Sequence, residues 1–211
     1  MSEPKSRPRR ASAPAPRAYH HGDLKNQLVA AALRLFEERG DLDFTFRELA
    51  RAVGVTHNAP YRHFAGRDEL LAALRDEGLA RLAAAERRAL AKARQGDVRA
   101  RVRALGEAYV RFALTQPVLF KLVLASPVAA PAEPRRAPSE SFALLEGALA
   151  DGVERGALRG DWAARDLALV AWSLVHGLAS LASSGQLPAG RRHLRRYADL
   201  VAAVFFDGAR A

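Results

Sequence analysis

Apolar residues recur at helical spacing through most of the chain. In the first clear case, apolar positions three or four residues apart follow a good N-cap, Asp23, and the pattern ends at Gly40. No segment of the sequence shows the sustained alternation with β-branched residues that predicts a strand. We therefore predict an all-α protein with about nine helices. The apolar stripe of the first helix consists of Leu24, Leu28, Ala31, Leu35 and Phe36.

A short second helix is predicted to begin at Thr45. Thr45 and Glu48 have the spacing of a capping box, in which each side chain accepts a hydrogen bond from the backbone of the other residue. Phe44, just before the cap, can pack against Leu49 as a hydrophobic staple. The helix is predicted to end at Gly54, which has the backbone freedom for a tight turn.

A third helix is predicted directly after this turn, with Thr56 as its N-cap. Pro60 falls in its first turn, where the loss of one backbone hydrogen bond is tolerable. Two short helices around a tight turn are typical of a helix-turn-helix, which we place at residues 45–64. The second helix of such a motif is exposed along one side and fits the major groove. The segment after the turn is therefore predicted to recognise DNA.

The exposed positions of this third helix carry groups that suit DNA. Asn58 can make a paired contact with adenine, and His57 can donate or accept a hydrogen bond at a base edge. Hydroxyl groups and positive charges around them suit phosphates. The predicted DNA-binding residues are Arg47, Thr56, His57, Asn58, Tyr61, Arg62, His63 and Arg67.

Plainer interpretations of these side chains stay open. His57 and Asn58 could be ordinary surface residues, and Tyr61 could be buried rather than in contact with a phosphate. His57 and His63 are six residues apart, about 240° around a helix, so they do not form a metal-binding pair. We expect no metal site and no cofactor.

The N-terminal segment has a different composition from the helices. Residues 1–18 are rich in Pro, Ala, Ser and Arg without periodicity, which predicts a disordered basic tail. This tail could lie along a phosphate backbone, or it could stay solvated. His20 and His21 before the first helix could contact a phosphate, or they could cap and pack.

The rest of the chain is predicted to form further helices. A long helix from about Arg67 to Gln95 comes first, and the next helix begins at Asp97 and is stopped or kinked by Pro117, after which a shorter helix follows. Four prolines between residues 126 and 138 predict an irregular loop. The last three helices are predicted over residues 139–155, 162–184 and 190–207, with Asp161 as the N-cap of the second.

The helix over residues 162–184 is apolar nearly all round. Such a helix should be buried on both sides, with one side in the core of its own protomer and the other against a partner. Together with the last helix, it could form a four-helix interface in a homodimer. The predicted interface residues are Leu167, Leu174, Leu178, Leu181, Tyr197, Val201 and Val204.

Aromatic residues in the C-terminal half are candidates for a ligand pocket. Trp172 and His176 are four residues apart and share a helix face. His176 could line a pocket, or it could be packed with a hydrogen-bond partner. Tyr109, Phe112 and Phe120 could likewise be pocket walls or core. The candidate pocket residues are Tyr109, Phe112, Phe120, Trp172 and His176.

The composition narrows the class of protein. A formal net charge of +10 predicts attraction to polyanions, with nucleic acid first. The absence of cysteine excludes disulfides and thiolate catalysis and suits a reducing cytoplasm, where we expect the protein. No stretch reaches the length of a membrane span, because residues 167–182 are interrupted by His176 and small residues, so no membrane partner is expected. The basic N-terminus lacks the apolar core of a secretory signal.

The run from Phe44 to Leu71, FTFRELARAVGVTHNAPYRHFAGRDELL, resembles the DNA-binding signature of the TetR family of one-component regulators. Pro60 departs from the commonest residue of the family, which is aliphatic there. It is similar to a branch whose segment begins Tyr-His-His-Gly-Asp-Leu, as at residues 19–24. That branch also carries a Trp-x-x-x-His-Gly element, matched here at residues 172–177, and residues 109–120 resemble it as well.

The resemblance implies partners and a division of the chain. Members of the family are homodimers, mostly repressors, that release palindromic operator DNA when a small-molecule effector fills a helical pocket. By this resemblance the basic tail at residues 1–18 precedes a helix-turn-helix DNA-binding domain at 19–66. A helical effector-binding and dimerisation domain then covers 67–211.

Two other functions remain as alternatives. The protein could be an architectural DNA-binding protein without an effector. It could also be a helical enzyme, although the sequence offers no metal-spaced ligands, no activated nucleophile and no glycine-rich phosphate loop. We therefore expect a regulator and not an enzyme.

Overall fold

The computed structural model describes residues 21–41, 43–93, 97–124, 139–187 and 190–209. Within these ranges it contains eight α-helices, one short 3₁₀ turn and no strand, which confirms the all-α prediction. The predicted basic tail and the predicted proline-rich loop lie outside the described residues.

The helices follow one another in the predicted order, with small shifts at their ends. The bounds are α1 His21–Arg39, α2 Phe46–Val53, the 3₁₀ turn Pro60–Arg62, α3 Arg67–Lys92, α4 Val98–Thr115, α5 Pro117–Leu124, α6 Glu140–Glu154, α7 Ala164–Ser183 and α8 Arg191–Ala209.

Three predicted helix caps are wrong. Asp23 lies inside α1, Thr56 precedes a turn rather than an α-helix, and Asp161 does not cap α7. α7 begins after Ala163, two residues beyond the predicted cap Asp161. The carboxylate of Asp161 accepts a hydrogen bond from Arg159 instead, with 2.6 Å between Arg159 Nε and Asp161 Oδ1. This bond lowers the pKa of Asp161 and holds its side chain in the loop. At the other end of the chain, α1 begins at His21, earlier than the predicted start.

The buried residues form two apolar clusters. The first joins α1, α2 and the 3₁₀ turn to α3, α4 and α5, with Leu28, Leu49, Phe64 and Leu74 almost fully buried. The second lies among α4, α6, α7 and α8, and the half-buried Trp172 packs against both clusters. The helix-turn-helix therefore shares its core with the C-terminal helices.

α5 packs directly onto α3 at Gly78. A Cβ at this position would lie 2.6 Å from Cγ2 of Val123 and 3.0 Å from Cδ1 of Leu119. Carbon atoms do not approach to such a distance, so any larger residue must displace α5. Gly147 on α6 offers a contrast, because a Cβ there would meet nothing within 4 Å.

α7 is long and apolar enough to cross a membrane by length and composition alone, with 20 residues and a mean hydropathy of 1.3. The expectation that no stretch reaches this length was therefore wrong. Its apolar character has a structural use, because one face is buried against α4, α6 and α8. The face that is left exposed still carries Leu169, Val170 and Leu181.

We expect Gly78→Ala to destabilise the protein by about 1–3 kcal/mol, because the added methyl group overpacks the contact between α3 and α5. The matched control Gly147→Ala should raise stability by about 0.5–1 kcal/mol, since alanine is the better helix former and meets open space. Urea unfolding followed by circular dichroism measures both variants. Equal stabilities would contradict the close packing at Gly78.

Candidate nucleic-acid interface and ligand cavity

The start of α2 is fixed by the predicted capping box. The backbone N–H of Glu48 donates to Thr45 Oγ1 over 3.2 Å, and the backbone N–H of Thr45 donates to Glu48 Oε2 over 2.8 Å. Arg39 at the end of α1 donates to Glu48 Oε1 over 2.7 Å. The hydrogen bond from the Thr45 backbone, followed by that from Arg39, lowers the pKa of Glu48 to about 2. One carboxylate therefore joins α1 to α2.

The turn after α2 has the predicted geometry. Gly54 has φ 75°, in the left-handed region that favours glycine. The N–H of the next residue, Val55, donates to the carbonyl of Ala50 over 2.9 Å. This bond closes the end of α2, and the turn at Gly54 redirects the chain. The chain then enters the recognition segment, which we define as residues 56–64.

The recognition segment is not the α-helix that the sequence predicted. Residues 57–59 form a turn, and Pro60–Arg62 form a 3₁₀ turn. The N–H of Ala59 donates to the carbonyl of Thr56 over 2.9 Å. Pro60 has no N–H, so it cannot make the α-helical bond to that carbonyl, and the tighter bond from Ala59 takes its place.

One side of the recognition segment is buried and the other is exposed. Pro60 and Phe64 are almost fully buried and hold the segment against the core of the helix-turn-helix. The predicted DNA-binding residues lie on its outer side or beside it. Of these, Arg47, Thr56, His57, Asn58, Tyr61, Arg62 and Arg67 are exposed, and His63 is half-buried.

Tyr61 is held in place although it is exposed. Its ring centre lies 4.9 Å from that of Phe46, while 61% of the residue remains accessible. The alternative that Tyr61 is a buried core residue is therefore wrong. The contact leaves the residue exposed, as Asn58 is, three positions earlier in the chain.

The end of the recognition segment is joined to α3. Glu69 Oε2 accepts a hydrogen bond from the N–H of Ala65 over 2.7 Å. Arg67 Nη1 donates to the carbonyl of Phe44 over 3.4 Å, which connects the start of α3 to the loop before α2. The position of the segment therefore follows the position of the first turn of α3.

Sequence reasoning missed a further positive charge beside the segment. Lys25 on α1 is exposed, and its Nζ lies 5.4 Å from the ring centre of Phe64. Lysines on the polar face of a helix are common, so neither the residue type nor its spacing predicted this contact.

A cavity of about 60 Å³ lies within the C-terminal half, where α3, α4, α6, α7 and α8 meet. Of the candidate pocket residues, Tyr109 and Trp172 line this cavity. Phe112, Phe120 and His176 are not among its lining residues, and both phenylalanines are core. Its walls are apolar apart from Glu86, Arg103, Glu107, Tyr109, Ser141 and Trp172.

His176 is a packed histidine with hydrogen-bond partners, which was one of the two alternatives for it. Tyr109 Oη lies 3.1 Å from His176 Nδ1, and Ser180 Oγ lies 3.4 Å from His176 Nε2. The imidazole stacks on Trp172 with 5.2 Å between ring centres. Burial lowers the pKa of His176. Its contacts hold two cavity walls, Tyr109 and Trp172, in position.

Glu86 is the cavity residue that sequence reasoning missed. It is 3% exposed, and within the described part of the chain its Oε2 has no hydrogen-bond partner. A sequence pattern could have found it. A carboxylate occupies the next position of an apolar stripe whose members are four residues apart. The stripe on α3 is Leu70, Leu74, Gly78, Leu82 and Glu86, all buried.

The predicted dimer face needs correction. Leu167 and Leu178 are buried inside the protomer, and Leu174, Tyr197 and Val201 are half-buried against its core. Only Leu181 and Val204 of the predicted set are exposed. A helix that is apolar all round does not reveal which stripe faces inward, and the packing of α4 and α6 decides it. Among the side chains of α7 and α8 that the structure describes, the exposed large apolar ones are Leu169, Val170, Leu181, Leu200 and Val204.

Comparison with known proteins agrees with this arrangement. Residues 28–74 match the family described as bacterial regulatory proteins, tetR family. Residues 102–205 match the tetracyclin repressor-like C-terminal domain. No curated protein sequence is a significant match.

Several solved structures are similar over almost the whole chain. A protein with unknown function from Rhodococcus sp. RHA1 has 33% identity and a TM-score of 0.76, covering 92% of this chain and 100% of that one. The TetR family transcriptional regulator PfmR from Thermus thermophilus has 20% identity and a TM-score of 0.57, covering 86% and 97%. The fatty acid degradation regulator FadR from Bacillus halodurans has 16% identity and a TM-score of 0.64, covering 89% and 97%. The last two show the shared fold alone.

A capped helix-turn-helix joined to a helical C-terminal body defines a DNA-binding transcriptional regulator. The chain belongs to the TetR family, as its helix-turn-helix signature implied.

The pKa of Glu48 leads to a prediction about pH. Its folded value of about 2 lies below the ordinary 4.5, so its bonds contribute stability above pH 4.5 that is lost as the pH falls towards 2. We expect Glu48→Gln to lower the Tm at neutral pH and to have a smaller effect near about pH 3. Thermal unfolding at both pH values tests this. Glu37→Gln, at an exposed position of α1, is the control, and an equal pH-dependent loss there would contradict the assignment.

Proposed function

We propose that the protein is a ligand-responsive repressor. In this proposal a homodimer binds a palindromic operator, and a small molecule that enters the cavity releases it. The observation that carries the proposal is that one helix connects both sites. α3 begins at Arg67, directly after the recognition segment, and Glu86 on the same helix lines the cavity. We expect the protein to act in the cytoplasm, where the operator would be.

We assign DNA contacts according to side-chain chemistry and exposure. Asn58 is exposed, and its amide can pair with an adenine edge, so we assign it to base recognition. His57 is exposed beside it and is assigned a second base contact. The hydroxyl groups of Thr56 and Tyr61 are assigned to phosphates. The basic side chains of Arg47, Arg62, His63 and Arg67 are assigned to phosphates as well.

A two-fold operator requires two recognition segments about one helical turn apart, or about 34 Å. We infer that the exposed apolar face of α7 and α8 forms the dimer contact. Val170 and Leu181 are eleven residues apart on one face of α7, and Leu200 and Val204 are four apart on α8. Two such helices from each protomer would make a four-helix interface.

Release would follow from the small size of the cavity. A volume of about 60 Å³ holds a few water molecules, whereas a pocket that encloses an effector is typically several hundred Å³. An effector must therefore move the surrounding helices. Nineteen residues of α3 separate Glu86 from Arg67, a length of about 28 Å. A tilt of this helix would change the spacing of the two recognition segments and weaken operator binding.

The first experiment selects fragments of genomic DNA that the purified protein retains at moderate salt. We expect an inverted repeat beside one or a few genes. On that operator, Asn58→Ala should cost about 1–3 kcal/mol and relax the sequence preference at one position of each half-site. Arg62→Ala should weaken binding to all sequences alike and reduce the slope of log affinity against log salt.

Arg192→Ala, at an exposed position of α8, is the matched control and should leave operator affinity unchanged. If Asn58→Ala weakened specific and random DNA equally, its assignment to base recognition would be wrong. Uniform recovery of all genomic fragments would favour an architectural DNA-binding protein.

The dimer face has its own test. Val204 is 68% exposed, so Val204→Glu should leave the protomer folded. In the dimer, a buried charge without a partner would be costly, and we expect the variant to be monomeric in sedimentation velocity experiments. Ala143→Glu, at an exposed position of α6, is the control and should remain dimeric. A dimeric Val204→Glu variant would place the interface elsewhere.

A further inference from the structure

Glu86 has a buried carboxyl oxygen that nothing in the fold accounts for. The residue is 3% exposed, and its Oε2 lacks a hydrogen-bond partner among the residues that the structure describes. Burial of an unsatisfied polar atom destabilises a protein, and native structures contain few such atoms. The Leu70–Leu74–Leu82 stripe of the same helix indicates that an apolar residue would continue the core without this cost. The carboxyl group therefore calls for a function beyond packing.

The surroundings of Glu86 have the form of a binding site. Glu86 lines the cavity. The other lining residues include the aromatic side chains of Tyr109, Phe142 and Trp172. Aromatic faces attract cations as well as apolar groups. Ser141 on α6 forms a hydrogen bond with the carboxyl group, which leaves Oε2 as the unused acceptor.

The charges around the cavity favour a positive ligand. Arg103 on α4 forms ion pairs with two carboxylates, although its Nε, like Glu86 Oε2, makes no hydrogen bond to a described residue. Its Nε lies 3.1 Å from Glu107 Oε1, and its Nη2 lies 3.1 Å from Asp199 Oδ1 on α8. Among the described lining residues, no cation is left to neutralise Glu86. The described lining holds two carboxyl groups and one guanidinium, so a cation would improve the balance and an anion would not.

The neighbouring titratable groups on α4 and α7 do not change this conclusion. Burial raises the pKa of Tyr109 to about 12, so the phenol is neutral. Burial also lowers the pKa of His176, so the imidazole is neutral at neutral pH. Ser141, Phe142 and Leu145, the cavity residues of α6, carry no charge.

We propose that this cavity binds an organic amine in its protonated form, with the ammonium group at Glu86 Oε2 and the apolar part between Trp172 and Phe142. The inference deepens the proposed function, on which it rests, because it names the chemical class of the effector. The protein can also fold without the ligand, because the buried carboxyl group is then neutral. Burial raises the pKa of Glu86 to about 8, so at neutral pH the empty cavity holds a neutral carboxyl group that an ammonium ion would ionise.

The test uses two probes of almost equal shape, benzylamine and ethylbenzene, and measures binding to the full chain by isothermal titration calorimetry. We expect the wild type to bind the amine more tightly than the hydrocarbon. Glu86→Gln should weaken amine binding by about 10- to 100-fold, as expected for a lost hydrogen bond to a charged group, and should leave ethylbenzene binding unchanged. Glu77→Gln removes an ion-paired carboxylate of the same helix that does not line the cavity. It is the matched control and should change amine binding by less than about threefold.

A second measurement needs no variant. Titrations at neutral pH in buffers of different ionisation enthalpy report the protons exchanged on binding. Amine binding should release about one proton, because the ammonium ion displaces the proton of Glu86, whereas ethylbenzene should release none. A merely structural role for Glu86 would not produce this difference.

The outcomes separate this inference from the proposed function. Three results would overturn the amine site. The two probes could bind equally, Glu86→Gln could bind the amine as tightly as the wild type, or the amine could fail to bind at all. Operator binding is then measured with and without the amine. Glu86-dependent binding that leaves the operator bound would support the site and contradict release. If the two sites are coupled, the amine lowers the affinity for the operator by a certain factor. The operator must then lower the affinity for the amine by the same factor.

Discussion

The burial of one stripe of α3 is the constraint on which the rest of the structure depends. Leu70 and Leu74 complete the core beneath the helix-turn-helix, Gly78 admits α5, and Leu82 continues towards the C-terminal helices. Four-residue spacing keeps these positions on one face of the helix. Because the packed interior resists deformation, these contacts fix the helix-turn-helix against the C-terminal helices.

The recognition segment shows how a missing hydrogen-bond donor shapes a site. Pro60 prevents the α-helical bond to the carbonyl of Thr56, and a tighter turn replaces it. The same proline is almost fully buried and, with Phe64, forms the inner side of the segment. The proline that prevents an α-helix thus also anchors the recognition segment to the core. The polar side chains of His57, Asn58 and Arg62 are left on the outside, where a DNA groove could accept them.

Electrostatics have different uses in the two halves. Near the DNA-binding face, carboxylates have partners: Glu48 joins α1 to α2, and Glu69 joins the recognition segment to α3. In the C-terminal cavity, Glu86 has an unused oxygen, and its surroundings favour the neutral form. Paired carboxylates stabilise the fold, whereas burial of the unpaired Glu86 oxygen costs stability, which is the reason we propose a ligand for it.

The sequence by itself determined the all-α class, the capping box at Thr45 and the turn at Gly54, because each depends on the spacing of a few neighbouring residues. The TetR family signature was readable for the same reason. The missing N–H of Pro60 is a local property as well, and it accounts for the tighter turn that replaces the predicted helix. Tertiary structure alone decided two other features. It turned Leu167 and Leu178 inward, because α7 is apolar on every side and only its neighbours select a face. It also brought Glu86 to a cavity, because that cavity is formed by five helices that are distant in sequence.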